Sequence, residues 1–299
     1  MIRFFRKFLR RAGTTILLCA VFSFIPAHAQ ERFSLFVPTE PDDVARMIEL
    51  AGVREGDVIY DLGSGDGRIV LEAARRNRGV HGRGIEIDAK LVAESTAVAK
   101  ADGLADRVAF LHQNAFDADL KDATVIVMWL WPEVMRMLRP KILAEARPGT
   151  RVITRLWDLG SWPPDETNAN GLTLYKWVVP ANLEGYWDWR LTIKDRSHAY
   201  AAVLEQQFQK LEGQVRVGSR RGLLDRMALN GAEVSFNLGM TLEGVGYTRH
   251  EFSGQVQDGV IEGTVRISHE PHETWIELPW RAQRVRESAY FAPTGVDLK

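Results

Sequence analysis

The chain of 299 residues has one cysteine, Cys19, which excludes an intramolecular disulfide framework and any cysteine-rich zinc or iron–sulfur centre. It also lacks an excess of either charge. Lys and Arg number 38 against 39 Asp and Glu, net −1, which argues against a protein built to coat nucleic acid. The charge-free apolar run from about Gly13 to Pro26 falls short of the roughly 18–20 residues a membrane-spanning helix needs. No Ser-His-Asp arrangement and no phosphate loop stands out. His269-Glu270-Pro271-His272-Glu273 offers two histidines and no third ligand, so it reads as a solvated turn and no metal is expected. What is present is a soluble, globular mixture, 45% hydrophobic and 26% charged. Its length suits two ordinary domains or one large one.

The N-terminus differs from the rest. Arg3, Arg6, Lys7, Arg10 and Arg11 precede the apolar run, which ends in Ala27-His28-Ala29. Basic, apolar, then small-x-small is the layout of a secretory signal peptide, with cleavage after Ala29. The expectation is an exported protein, periplasmic or in the cell envelope, with no stable membrane span after residues 1–29 are removed. That removal takes five basic residues and no acid, which moves the net charge from −1 to −6. An acidic mature chain further disfavours a nucleic-acid partner.

Residues 30–182 alternate helical stretches with short apolar strands. Val44, Met47, Ile48 and Ala51 share a helical stripe between Pro41 and Val53, with Thr39 and Asp42 suiting its start. Strands are predicted at Val58–Leu62, Gly82–Ile87, Val108–His112, Thr124–Trp129 and Val152–Trp157, with helices at about Arg68–Arg76, Ala89–Ala101 and Pro132–Ala146. This pattern implies a mostly parallel sheet covered on both faces. Trp162–Gly171 reads as a loop. From residue 183 to 299 the period becomes two, and Asn230-Gly231 and Asp258-Gly259 are tight-hairpin signals. That segment reads as a smaller antiparallel β sandwich or barrel.

The chemistry is concentrated in Val58-Ile-Tyr-Asp61-Leu-Gly63-Ser64-Gly65-Asp66-Gly67-Arg68-Ile-Val70, a strand, a glycine turn and a helix. The dinucleotide fingerprint G-x-G-x-x-G wants glycine where Arg68 stands, and it cradles an anion. Here Asp61 and Asp66 suit a cation instead. The stretch resembles motif I of the class I S-adenosylmethionine (SAM) methyltransferases. The resemblance implies a Rossmann-like domain with SAM as cofactor, held by Thr39, Asp61, Gly63, Ser64, Gly65, Asp66, Gly67, Glu86 and Asn114. Glu86, 25 residues after Asp61, would hold the ribose hydroxyls. Asn114 stands where many members place an aspartate against the adenine amino group. Val37-Pro38-Thr39, Trp131-Pro132-Glu133-Val134 and Arg147-Pro148-Gly149-Thr150 narrow the resemblance further. They look like the mitochondrial protein-lysine methyltransferases of the ATP synthase c-subunit and the adenine nucleotide translocator, with their bacterial relatives. The implied acceptor is a protein lysine.

Three residues are candidates for the transfer site itself. Trp129 and Trp131, at the end of the fourth strand, would share a face and wall the acceptor pocket, where aromatic faces attract cations. The competing reading packs all seven tryptophans between Trp129 and Trp189, namely Trp129, Trp131, Trp157, Trp162, Trp177, Trp187 and Trp189, at the sheet edge or the interdomain seam. Asp158, after the fifth strand, would take a proton or hold a lysine, or else is merely solvated. Two alternatives stay open. One is methylation of a small molecule or lipid. The other is an exported, non-catalytic binding protein on the same fold.

Overall fold

The computed structural model describes residues 36–269, 272–286 and 289–291. The export signal expected in residues 1–29, with Cys19, lies outside them. So do Glu270 and Pro271, and the side chains of His269, His272 and Glu273, so the reading of that turn falls outside the described residues.

Helix α1 (Pro41–Ala51) buries Val44, Met47, Ile48 and Ala51, the stripe its spacing predicts. Neither Thr39 nor Asp42 caps it. Glu40 stands at the cap position without a side-chain bond, and Pro41 opens the first turn, where its fixed φ costs nothing. Beyond it run β1 (Val58–Leu62), α2 (Arg68–Arg76), β2 (His81–Glu86), α3 (Ala89–Ala101), β3 (Val108–His112), β4 (Val125–Met128), α4 (Pro132–Glu145) and β5 (Arg151–Arg155). The central strands are apolar on both sides because helices cover both. Ile59, Val125, Val127 and Ile153 face the core under α1 and α2. Tyr60, Leu62, Ile126, Met128 and Val152 face the core under α4.

The sheet order is β3-β2-β1-β4-β5, all parallel, extended by the antiparallel pair β7 (Leu174–Val178) and β6 (Glu166–Asn168). The connection direction reverses between β1 and β4. In open α/β sheets the crevice beyond the strand carboxyl ends at that reversal is where ligands bind. Two expectations need correction here. Strands four and five stop at Met128 and Arg155, so Trp129, Leu156 and Trp157 leave the sheet at this edge. The stretch expected to be a loop contains β6, three residues too short to show a period.

The C-terminal sheet comprises β8 (Gly185–Ile193), β9 (Arg196–Gln207), β10 (Lys210–Val217), β11 (Arg220–Leu223), β12 (Asp225–Asn230), β13 (Glu233–Leu242), β14 (Gly246–Gln257), β15 (Val260–His269) and β16 (His272–Val285). Its order is β11-β10-β9-β8-β16-β15-β14-β13-β12, antiparallel throughout. Asp258 and Gly259 turn the β14–β15 hairpin with φ of 50° and 76°, the positive pair a type I′ turn requires. The two ends of the sheet approach each other, β11 beside β13 and β10 beside β12. The result is one nearly closed barrel around Trp187, Trp189, Tyr200, Phe236, Phe252 and Trp280.

The barrel is tied to the first sheet on the α4 and β7 side. Ala181 N–H donates to the Gly231 carbonyl at 2.7 Å. Phe208 and Gln209, at the β9–β10 turn, pack on Trp162 and Pro163, and Trp162 Nε1 donates to Gln209 Oε1 at 3.0 Å. The seam reading therefore holds for Trp162. Trp177, Trp187 and Trp189 are core residues.

Candidate functional site

The glycine turn leaves β1 at its carboxyl end and is clamped to the neighbouring strand by its backbone. Gly63 and Ser64 N–H both donate to the Ile85 carbonyl, at 2.8 and 3.1 Å, and Gly67 N–H closes onto the Ser64 carbonyl at 2.8 Å. Gly63, Gly65 and Gly67 all have positive φ. At all three the space is also required. A Cβ on Gly63 would lie 2.4 Å from Leu130 Cδ2, one on Gly65 would lie 2.3 Å from the Phe36 ring, and one on Gly67 would lie 2.4 Å from Phe110 Cζ. The segment after β4 and the N-terminal strap at Phe36 therefore close on the turn from two directions.

Glu86 ends β2 beside this turn and is 8% exposed. Its Oε2 accepts from Gly65 N–H at 2.8 Å, and its Oε1 accepts from Ile87 and Asp88 N–H at 2.8 and 2.9 Å. Three backbone donors thus hold one carboxylate rigidly under the turn. Asp61 is 2% exposed, and its Oδ2 has no hydrogen-bond partner. Burial, with the nearby negative charges of Glu86 and Asp66, pushes its carboxyl up to about 8. Ser64 Oγ is likewise buried without a partner. A buried acid and a buried hydroxyl left open beside a glycine cradle call for a ligand that brings positive charge and hydrogen-bond donors.

The other predicted cofactor residues are placed less directly. Asp66 turns to Arg68, with contacts of 2.5–3.1 Å. Burial works against its charge, but the guanidinium outweighs it and keeps the carboxyl below its ordinary range. Asp61, not Asp66, is therefore the acid with an open oxygen. Thr39 is buried, and its carbonyl accepts from Arg68 at 2.6 Å. The Arg68 side chain thereby ties the N-terminal strap to the helix after the turn. Asn114 Oδ1 accepts from Phe116 N–H at 3.0 Å, capping a short 3-10 turn beyond β3, so one of its two lone pairs is taken locally.

The three transfer candidates separate. Trp129 and Trp131 are not on one strand face, since β4 ends at Met128 and Trp131 stands at the N-cap of α4. Trp131 is 49% exposed. Trp129 is partly buried, with the Arg155 guanidinium carbon 4.1 Å from its ring centroid. Asp158 Oδ1 accepts from Gly160 N–H at 2.9 Å and pairs with Arg136 at 3.2 Å on an exposed surface. That is the solvated-loop arrangement rather than a base aimed into a site.

Sequence reasoning passed over Phe36, Asp43, Leu130 and Arg155. Phe36 adjoins the Val37-Pro38-Thr39 segment, which was a usable signal. Arg155 and Asp43 stand 112 residues apart, and no spacing rule joins them. Among the described residues, no group of three or more His, Cys, Asp or Glu is placed to hold a metal ion.

Comparison with known proteins agrees with this geometry. Residues 61–166 match the family model of the ANTKMT methyltransferase domain. A protein-lysine N-methyltransferase of Saccharolobus islandicus (strain REY15A) is 38% identical over 150 residues, covering 48% of this chain and 92% of the relative. The lysine N-methyltransferase of the ATP synthase c-subunit from Xenopus laevis is 29% identical over 161 residues, 54% of this chain and 70% of the relative. Among solved structures, an RNA methyltransferase from Salinibacter ruber in complex with S-adenosyl-L-homocysteine is 47% identical, with a TM-score of 0.48. It covers 49% of this chain and 96% of its own. With the glycine turn, the paired acids Asp61 and Glu86 and the reversal of strand order in one place, the chain belongs to the SAM-dependent methyltransferases, in the family of the ANTKMT methyltransferase domain.

Proposed function

We propose that the protein transfers a methyl group from SAM to the side-chain amine of a lysine in another protein. The observation that carries this is the open, buried Oδ2 of Asp61 next to the backbone-held carboxylate of Glu86. Such a pair suits a ligand with a cation at one end and hydroxyl donors at the other. The lysine acceptor is supported by the similarity to the Saccharolobus islandicus enzyme, whose own length is covered to 92%.

When bound, SAM supplies a methyl group on a sulfonium whose positive charge disperses during transfer. The chain's own task is chiefly placement. Asp61 and Glu86 would hold the two ends of the cofactor, and Ser64 Oγ has a bond to give. Phe36 and Leu130 lie against the glycines of the turn. Trp131 offers the exposed aromatic face at the same edge of the sheet, where an amine-bearing side chain would arrive. Asp158 beyond β5 is already engaged by Gly160 and Arg136, so it is not a free base. The amine would therefore arrive already uncharged or lose its proton to water.

We further propose that the enzyme acts outside the cytoplasm, on the strength of the three-part segment in residues 1–29. The experiment that tests the activity is incubation of the protein with methyl-labelled SAM and a cell-envelope extract. Label on a protein band, located at a lysine by mass spectrometry, is the expected result. Label confined to small molecules or lipid would replace the lysine reading. No label, together with no SAM binding below millimolar concentration by titration calorimetry, would reject it.

A further inference from the structure

A buried cluster of charges in the first sheet surrounds Arg155. Its side chain is 5% exposed at the carboxyl end of β5, and Nε and Nη2 contact Asp43 Oδ2 of α1 at 2.8 and 2.6 Å. Asp43 in turn accepts from Arg46 at 2.8 Å, and Arg46 reaches the Leu172 carbonyl at 3.1 Å. Burying such charges costs more desolvation than a hydrophobic packing of the same volume, so stability alone is a poor reason for this cluster. The guanidinium carbon sits 4.1 Å from the Trp129 ring centroid, the stacked contact that a planar guanidinium makes and an ammonium does not.

The chain beyond Arg155 is also constrained. Leu156 has φ of 71°, a left-handed conformation that a leucine rarely adopts, and Trp157 N–H bonds back to the Arg155 carbonyl at 2.9 Å. Leu156 N–H is anchored to the Thr173 carbonyl at 2.7 Å, and Thr154 Oγ1 donates to the Trp157 carbonyl at 2.6 Å. Strained backbone of this kind persists where surrounding structure over-determines it, and it collects at functional edges. Here it sits beside Trp129-Leu130-Trp131, the segment whose Leu130 closes on the Gly63 turn.

We propose that Arg155, held by Asp43, is a positioning residue that fixes the Trp129 indole as a rigid wall of the acceptor pocket. With the guanidinium occupying one face of Trp129, that face is closed to an acceptor cation. Trp131 is then the indole left to receive one. The proposal rests on the reading of this edge as the acceptor side, and it extends that reading to the residues that build the wall.

The test uses the full chain labelled with 5-fluorotryptophan, with the Trp129 fluorine resonance identified by its loss in Trp129→Phe. Arg155→Lys keeps a cation for Asp43 but loses the planar stack, and Asp43→Asn releases the guanidinium. Both are expected to shift and broaden the Trp129 resonance while leaving S-adenosylhomocysteine affinity within twofold. Both should also lower kcat for lysine methylation at least tenfold, and Arg155→Lys, which keeps the ion pair, should largely retain the thermal midpoint. A sharp, unshifted resonance in both variants, or an unchanged kcat, overturns the proposal. If the unmodified enzyme methylates no lysine at all, the lysine reading fails separately, and the fluorine spectra decide the positioning claim on their own.

Discussion

The Phe208 ring lies nearly parallel to that of Trp162, with an interplanar angle of 15° and centroids 6.1 Å apart. One ring belongs to a barrel turn and the other to the loop after β5, so this stack helps lock the barrel onto the methyltransferase sheet. The Arg139 guanidinium of α4 lies 5.7 Å from the Phe208 centroid, and Gln209 bonds the Pro163 carbonyl at 2.8 Å. Phe208→Ala is expected to cost about 1–2 kcal/mol in urea unfolding, the range for an aromatic pair and part of its burial. Phe208 also has φ of 57°, so Phe208→Gly relieves backbone strain that alanine keeps. The glycine variant should therefore match or exceed the alanine variant in stability. A less stable glycine variant would show that the turn conformation carries no strain.

Asp61 makes cofactor binding pH-dependent in a definite direction. Its carboxyl is raised to about 8, first by burial and then by the negative charges of Glu86 and Asp66. Below that pH the free enzyme carries it protonated, whereas a cationic ligand favours the ionised form. SAM affinity is therefore expected to rise with pH, by up to about tenfold per unit, and to level off near pH 8. Calorimetry in buffers of different ionisation enthalpy should detect proton release at pH 6.5 and much less at pH 9. Asp61→Asn should bind more weakly at pH 8 and lose the slope.

Glu86 differs from Asp61 in being satisfied before any ligand arrives. Its three backbone bonds include the one from Gly65 N–H, so Glu86→Ala removes both a ligand contact and a support of the turn. Charge-assisted bonds of this kind are worth about 1.5–3 kcal/mol each. S-adenosylhomocysteine affinity is expected to fall at least tenfold, measured by calorimetry at pH 8. An affinity within twofold of the unmodified protein would remove Glu86 from the cofactor site.

The residues that could be read from the sequence are the ones whose partners are close along the chain. Asp61, the three glycines and Glu86 fall within 26 residues on a strand–turn–helix–strand unit whose apolar period identifies it. The barrel's Asp258-Gly259 turn is equally local. By contrast, Arg155 finds Asp43 across 112 positions, and a lone arginine at a strand end carries no mark of what it will stack on. Where strands stop was similarly hidden. Trp129 and Trp157 have strand-like side chains, and only the left-handed Leu156 and the early start of α4 turn them out of the sheet. Closure of the barrel depends on the order of nine strands, which pairwise hairpin signals do not determine.

The barrel interior gives the protein an acid-sensitive core. His250 is 1% exposed, its Nε2 lies 3.0 Å from the Tyr200 hydroxyl and its Nδ1 lies 3.3 Å from the Leu238 carbonyl. Burial pushes it down to about 4, helped by His198 and opposed by the Leu238 carbonyl. Because the folded value lies below the unfolded value near 6.5, the unfolded chain takes up the proton first as pH falls. The stability contributed by neutral His250 is full above about pH 6.5 and is lost progressively toward pH 4. Urea unfolding should show roughly 1–2 kcal/mol less stability at pH 5 than at pH 7 from this group. His250→Gln should flatten the slope, with His198, also lowered by burial, accounting for the remainder.

Trp131 is expected to separate acceptor binding from cofactor binding. It is exposed at the N-cap of α4, next to the Leu130 that covers Gly63, and on a different element from Asp61 and Glu86. If its face receives the acceptor amine, Trp131→Ala forfeits a cation–π contact of about 0.5–2 kcal/mol. That predicts a KM for a lysine-bearing acceptor raised roughly 2- to 30-fold, with SAM affinity unchanged. Trp131→Phe should recover part of the loss, since a smaller ring keeps the face. A KM indifferent to both substitutions would place the acceptor elsewhere along the carboxyl edge of the sheet, and Trp131 would then be only an exposed cap.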